Sequence, residues 1–178
     1  MNIKNLEMMQ HHFKDTIETI KVIDFLNTIG IKVEEKIMNE DCFLPGLSIG
    51  PNVIYVDYEE LIYPGDMLHE AGHLAVTQSE ERIRIGTEAM SKDWPTQGDE
   101  IAAMLWSYAA LVHLQLPINF VFHPEGYKGE SQWLIDNYTA ENFIGLPLLE
   151  WMGLTYGKEN AEKEGVMPFP NMIKWIRD

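Results

Sequence analysis

The sequence predicts an α+β fold. Three observations carry that expectation: apolar residues recur at helical spacing in several separate stretches, a run rich in β-branched and aromatic residues lies between turn dipeptides, and two of the helical stretches open on helix-start signals. With 178 residues, the chain is expected to form a single domain over 1–178 and to bury a sizeable apolar core.

From Lys14 to Asn27, Ile17, Ile20, Ile23 and Leu26 stand at helical spacing, and Gly30 follows where a left-handed C-terminal cap belongs. This predicts an amphipathic helix. Ile31–Glu34 alternates apolar with polar, and Asn52–Tyr58 has strand composition, with Pro45-Gly46 and Gly50-Pro51 as turns between them, so a small sheet is expected. Pro64-Gly65-Asp66 opens a second helix running to about Thr77, with proline suited to the first turn and aspartate to the positive end of the dipole. Gln78–Pro95 is mostly polar and reads as a loop over one side of any site formed there. Thr96-Gln97-Gly98-Asp99 fits a capping box, and Ile101–Leu114 is apolar almost all round, predicting a buried helix behind the second one. Asn119–Phe122 reads as a short strand, the apolar residues beyond Gly129 as further helical packing, and Met172–Ile176 as a short final helix.

A net charge of −15, from 13 basic and 28 acidic side chains, argues against nucleic acid and anionic membrane surfaces as partners. No apolar run reaches the roughly eighteen residues of a membrane helix, the first residues have no secretory signal pattern, and Cys42 is the only cysteine; a cytoplasmic protein is expected. His11-His12 reads as a surface pair, Cys42 as a small core residue, and the five tryptophans as core or interface aromatics.

The chemistry lies in His69-Glu70-Ala71-Gly72-His73. Residues four apart share one helix face, so both imidazoles can reach one ion, while Glu70 can touch a water on it. Apolar Met67, Leu68, Leu74, Ala75 and Val76 would anchor the helix and hold the ligands rigidly. The segment Pro64–His73, following a strand, resembles the active-site helix of the zincin metallopeptidases. Leu74–Ser79 lacks the further glycine and histidine of the metzincins, which leaves the gluzincin branch and implies a downstream glutamate as third ligand of one catalytic zinc per chain.

Candidates for that ligand are Glu88, Asp99, Glu100, His113 and His123. Asp99 occupies the N3 position of the capping box. Glu100 is free at the entrance to a buried helix, so it is the residue expected, an arrangement that also resembles small repressor-associated metallopeptidases. The resemblance implies a compact zincin-like domain in which Glu70 acts as general base in peptide hydrolysis. His123, Tyr127 and Tyr108 could donate to a developing charge, but a structural role is expected of each. By analogy with zincins, the edge of the strand at Val53–Tyr58 would receive an extended peptide. Two other readings stand beside the peptidase: a non-catalytic metal-containing regulatory module and a zinc hydrolase of a small amide.

Overall fold

The computed structural model describes residues 13–38 and 42–178; His11 and His12 lie outside the described residues. The fold is α+β. Three strands, β1 (Lys32–Glu35), β2 (Leu47–Gly50) and β3 (Val53–Val56), form a sheet in the order β1-β3-β2, with β1 parallel and β2 antiparallel to the central β3. Around it lie α1 (Ile17–Thr28), α2 (Asp66–Val76), α3 (Ser79–Arg82), α4 (Gln97–His113), α5 (Ile118–Val121), α6 (Ser131–Thr139), α7 (Leu146–Trp151) and α8 (Lys158–Glu164). Among the described residues, no helix is long and apolar enough to cross a membrane.

The centre is the crossing of α2 and α4. Met67, Leu68 and Leu74 of α2 and Leu105, Trp106 and Ala109 of α4 are wholly buried, and each large apolar side chain so placed contributes about 1.5–3 kcal/mol. The two backbones touch at Gly72, where an added Cβ would stand 2.7 Å from the Ala103 carbonyl oxygen. Only glycine permits that approach. The capping box is formed as expected: Thr96 Oγ1 accepts from the Asp99 N–H and the Asp99 carboxylate accepts from the Thr96 N–H, which fixes where α4 starts.

Four sequence expectations are corrected. Residues 118–121 form a helical turn rather than a strand, because the segment packs against α2 and α4, away from any strand, and its donors bond locally, as from Phe122 N–H to the Ile118 carbonyl. Residues 172–176 are not helical: Ile173 N–H donates to Leu154, Arg177 N–H to Ala75, and Met172 bridges to Thr155, so the backbone groups are engaged by distant segments. α1 spans nearly the expected residues and Gly30 adopts φ +93°, but its buried face is Thr19, Val22, Phe25 and Leu26, leaving Ile17 71% and Ile20 46% exposed. Finally, β3 has partners on both sides and offers no free edge. The edge strands are β1 and β2, and β2, which lies between the two turn dipeptides, was not anticipated.

Candidate metal centre

His69 and His73 lie one turn apart on α2, and Glu100 comes from the first turn of α4. His69 Nε2 and His73 Nε2 are 3.2 Å apart, Glu100 Oε1 is 3.3 Å from His69 Nε2, and Glu100 Oε2 is 3.2 Å from His73 Nε2. The approach at Gly72 explains the convergence: Ala103 lies one residue short of a turn beyond Glu100, so the same contact that seats α4 on α2 carries the carboxylate over the two imidazoles. Around a tetrahedral zinc, bonds of about 2.0–2.1 Å set neighbouring donor atoms about 3.3 Å apart. The two imidazole nitrogens have that spacing from each other, each has one Glu100 oxygen at it, and nitrogen and oxygen are the donors such an ion takes.

Glu70 is the second carboxylate here. One oxygen of it lies within 4.8 Å of the donor nitrogens of His69 and His73, a grouping that could itself hold a metal. Glu100 makes the close contacts to both imidazoles. Glu70 has no hydrogen bond or ion pair among the described residues and faces the cavity. Burial raises its pKa, as do Asp66 and Glu100, against the lowering influence of the two histidines. Glu100 is held well below the usual carboxylate range by hydrogen bonds with His69 and His73. Burial lowers the His69 pKa, but Glu100 and the charges of Glu70 and Asp66 outweigh it, and the net shift is upward.

The Nδ1 atoms of His69 and His73 are buried without hydrogen-bond partners among the described residues, whereas metal-bound histidines usually donate that proton to an acceptor. Orientation comes instead from packing. The Tyr127 ring stands edge-on to His69 at 5.4 Å and the Trp94 ring edge-on to His73 at 5.9 Å. Trp94 Nε1 donates to Thr77 Oγ1, which donates to the His73 carbonyl, fastening the loop before α4 to the end of α2.

The other candidates stand elsewhere. Glu88 lies exposed in the loop before α4, and Asp99 is occupied by the cap. His113 packs among Phe25 and Trp175. His123 Nε2 lies 2.9 Å from Asp66 Oδ1 and stacks on Tyr63 at 3.6 Å, a pairing at the start of α2 that sequence did not reveal. Tyr108 lies among Tyr138, Phe143 and Phe169. Tyr127 alone of the three proposed donors borders the cavity; burial raises its pKa well above 10, and its hydroxyl has Ser107 as a polar neighbour without a hydrogen bond of normal geometry.

The centre opens into a cavity of about 870 Å³, a size suited to a ligand or several peptide side chains. β2 forms one wall, with Phe43 and Leu44 before it; α6 contributes Trp133 and Leu134 opposite. Phe43 is 96% and Trp133 51% exposed, large apolar surfaces left in water at the rim. Cys42 also lines the cavity rather than the core. Comparisons with known proteins found no matching family model, no matching curated protein and no matching solved structure.

Proposed function

We propose that the chain is a zinc-dependent metallopeptidase of zincin-like, gluzincin-type organisation, with His69, His73 and Glu100 as metal ligands and Glu70 as general base. The observation that carries this reading is the convergence of two imidazole nitrogens 3.2 Å apart with the Glu100 carboxylate, one oxygen of which lies 3.3 Å from His69 Nε2 and the other 3.2 Å from His73 Nε2, and an uncommitted carboxylate beside them. A bound zinc would supply Lewis acidity, polarising a carbonyl and bringing the pKa of water toward neutrality. Glu70 then takes a proton from the attacking water and returns it to the leaving amine, and burial tunes it upward for that exchange. Glu100, kept ionised by the imidazoles, is suited to remain a ligand throughout. The cavity of about 870 Å³, lined largely by apolar residues and with a strand along one wall, favours a peptide over a small amide.

The test is a comparison of zinc-loaded wild type and Glu70→Gln on a peptide library and on cell extract, with new termini read by mass spectrometry. Cleavage by wild type alone supports the peptidase. Equal products from both remove Glu70 from the chemistry, and no products from either favour the regulatory module.

A further inference from the structure

Lys128 is the only lysine or arginine among the described residues that line the cavity, and its charged companions there include Glu70, Glu100 and Glu130. On a chain with 28 acidic side chains to 13 basic ones, lysines find carboxylates readily: Lys14 pairs with Glu35, Lys158 with Glu141 and Lys163 with Glu159. Lys128 does not. It makes no ion pair among the described residues, although Glu130 stands two positions along the chain.

The backbone fixes where that lysine sits. Tyr127 and Lys128 have φ of +54° and +55°, left-handed at two successive residues that carry a Cβ. Such a conformation persists only where the surrounding structure imposes it, and it gathers at ligand clamps. Here the turn is tied along its length: Gly129 N–H donates to the Gly126 carbonyl, Glu130 N–H to the Tyr127 carbonyl, and Ser131 Oγ to the carbonyls of His123 and Gly126. Tyr127 turns inward, its ring edge-on to His69, while Lys128 is exposed at the rim. A strongly hydrated point charge on a flexible stem is thus planted one residue from the ring that packs on His69.

We infer that Lys128 receives a carboxylate of the substrate, so that peptides with a negative charge near the bond to be cut are preferred over neutral ones. The inference rests on the peptidase reading of the same cavity. A net charge of −15 would by itself repel an acidic peptide and select a basic one, and Glu130 adds to that at the rim. An unpaired ammonium reverses the sign at one place, beside the floor. The carboxylate it takes has two sources, the side chain of an aspartate or glutamate and the free C-terminus of a peptide.

The experiment measures kcat/KM of zinc-loaded protein on pools of short, mostly apolar peptides, with new termini read by mass spectrometry. One pool is acetylated and amidated, and so neutral. The others differ from it by a glutamate placed at each position in turn, by a lysine placed likewise, or by a free C-terminal carboxylate. Wild type should cut a carboxylate-bearing pool about fivefold faster than the neutral one, the order that a partly exposed charge pair gives. A gain at one glutamate position assigns the side chain as source, and a gain with the uncapped pool assigns the chain terminus. In Lys128→Gln the ratio to the neutral pool should fall to about one, and in Lys128→Glu it should invert, with lysine at the same position now preferred; a merely structural role would not swap the sign. Equal cleavage of all pools by wild type overturns the proposal while leaving the peptidase reading intact. So does a wild-type preference for the lysine pool, or a carboxylate preference that survives in Lys128→Gln. If wild type holds zinc and cuts no pool, the peptidase reading fails and the role of Lys128 falls with it.

Discussion

The floor and the rim of the cavity are built differently. The floor stands on two helices locked by a glycine-to-backbone contact, with His69 and His73 mostly buried and their rings flanked by Tyr127 and Trp94. The rim is made of a four-residue strand, a loop and one helix, and it leaves Phe43 and Trp133 in water. Rigid placement is what a metal centre needs, and exposed apolar surface is what a binding partner covers. On the function proposed above, chemistry belongs to the floor and selectivity to the rim, and substitutions on each side should separate the two.

The largest effects belong to the floor. Glu70→Gln should lower the cleavage rate on the order of a hundredfold or more while zinc content stays near one per chain, measured by kinetics beside elemental analysis. His69→Ala and His73→Ala should each lose most of the metal, and Glu100→Ala should lose it more readily to a chelator than wild type does. Were Glu100→Ala to hold zinc as tightly as wild type, and Glu88→Ala or Asp99→Ala not, the ligand set would be wrong.

Gly72→Ala comes next. It drives a methyl into the Ala103 carbonyl, so it should destabilise the fold by about 1–3 kcal/mol in denaturant unfolding and also weaken zinc retention, because Glu100 moves with α4. A loss of stability without loss of metal would show that the helix crossing does not set the ligand spacing.

In chelated protein, the same floor should leave a pH signature. Glu100, depressed in the folded state, contributes stability that is present at neutral pH and lost on acidification. His69, raised, contributes stability that is present at low pH and lost as pH rises through its folded value. Melting temperature should therefore fall on both sides of a maximum between the two, and Glu100→Gln should flatten both limbs.

The smallest effects belong to the rim. Phe43→Ala and Trp133→Ala should leave melting temperature and zinc content unchanged and raise KM several-fold for peptides with large apolar residues, on the order of 1 kcal/mol of lost contact. An equal change for polar peptides would remove them from selectivity.

The floor was legible because its signals are local. The four-residue histidine spacing puts both rings on one face, and the Thr96–Asp99 box fixes the phase of α4, so Glu100 could be singled out. What sequence does not contain is the contact at Gly72 that joins the two helices. Away from the floor the fold was less legible because short segments take their structure from distant partners: residues 118–121 form a helical turn packed on α2 and α4, and Ile173 is drawn to Leu154. The α1 face was misjudged because two apolar stripes compete on it. Thr19 goes inside, its hydroxyl accepting from Thr16 Oγ1, while Ile17 and Ile20 stay out.

Arg177 is fastened to α2. Arg177 N–H donates to the Ala75 carbonyl and its guanidinium to Val76, while Arg82 bridges the carbonyls of Thr77 and Arg177. These bonds occupy carbonyls that the last turn of α2 cannot pair within itself, and they span about a hundred residues of sequence. The last turn of α2 is therefore closed by a contact of high sequence separation, which carries a large loop-closure entropy. Loosening Arg177 should therefore be felt first at the end of α2 nearer His73, about a hundred residues away in sequence.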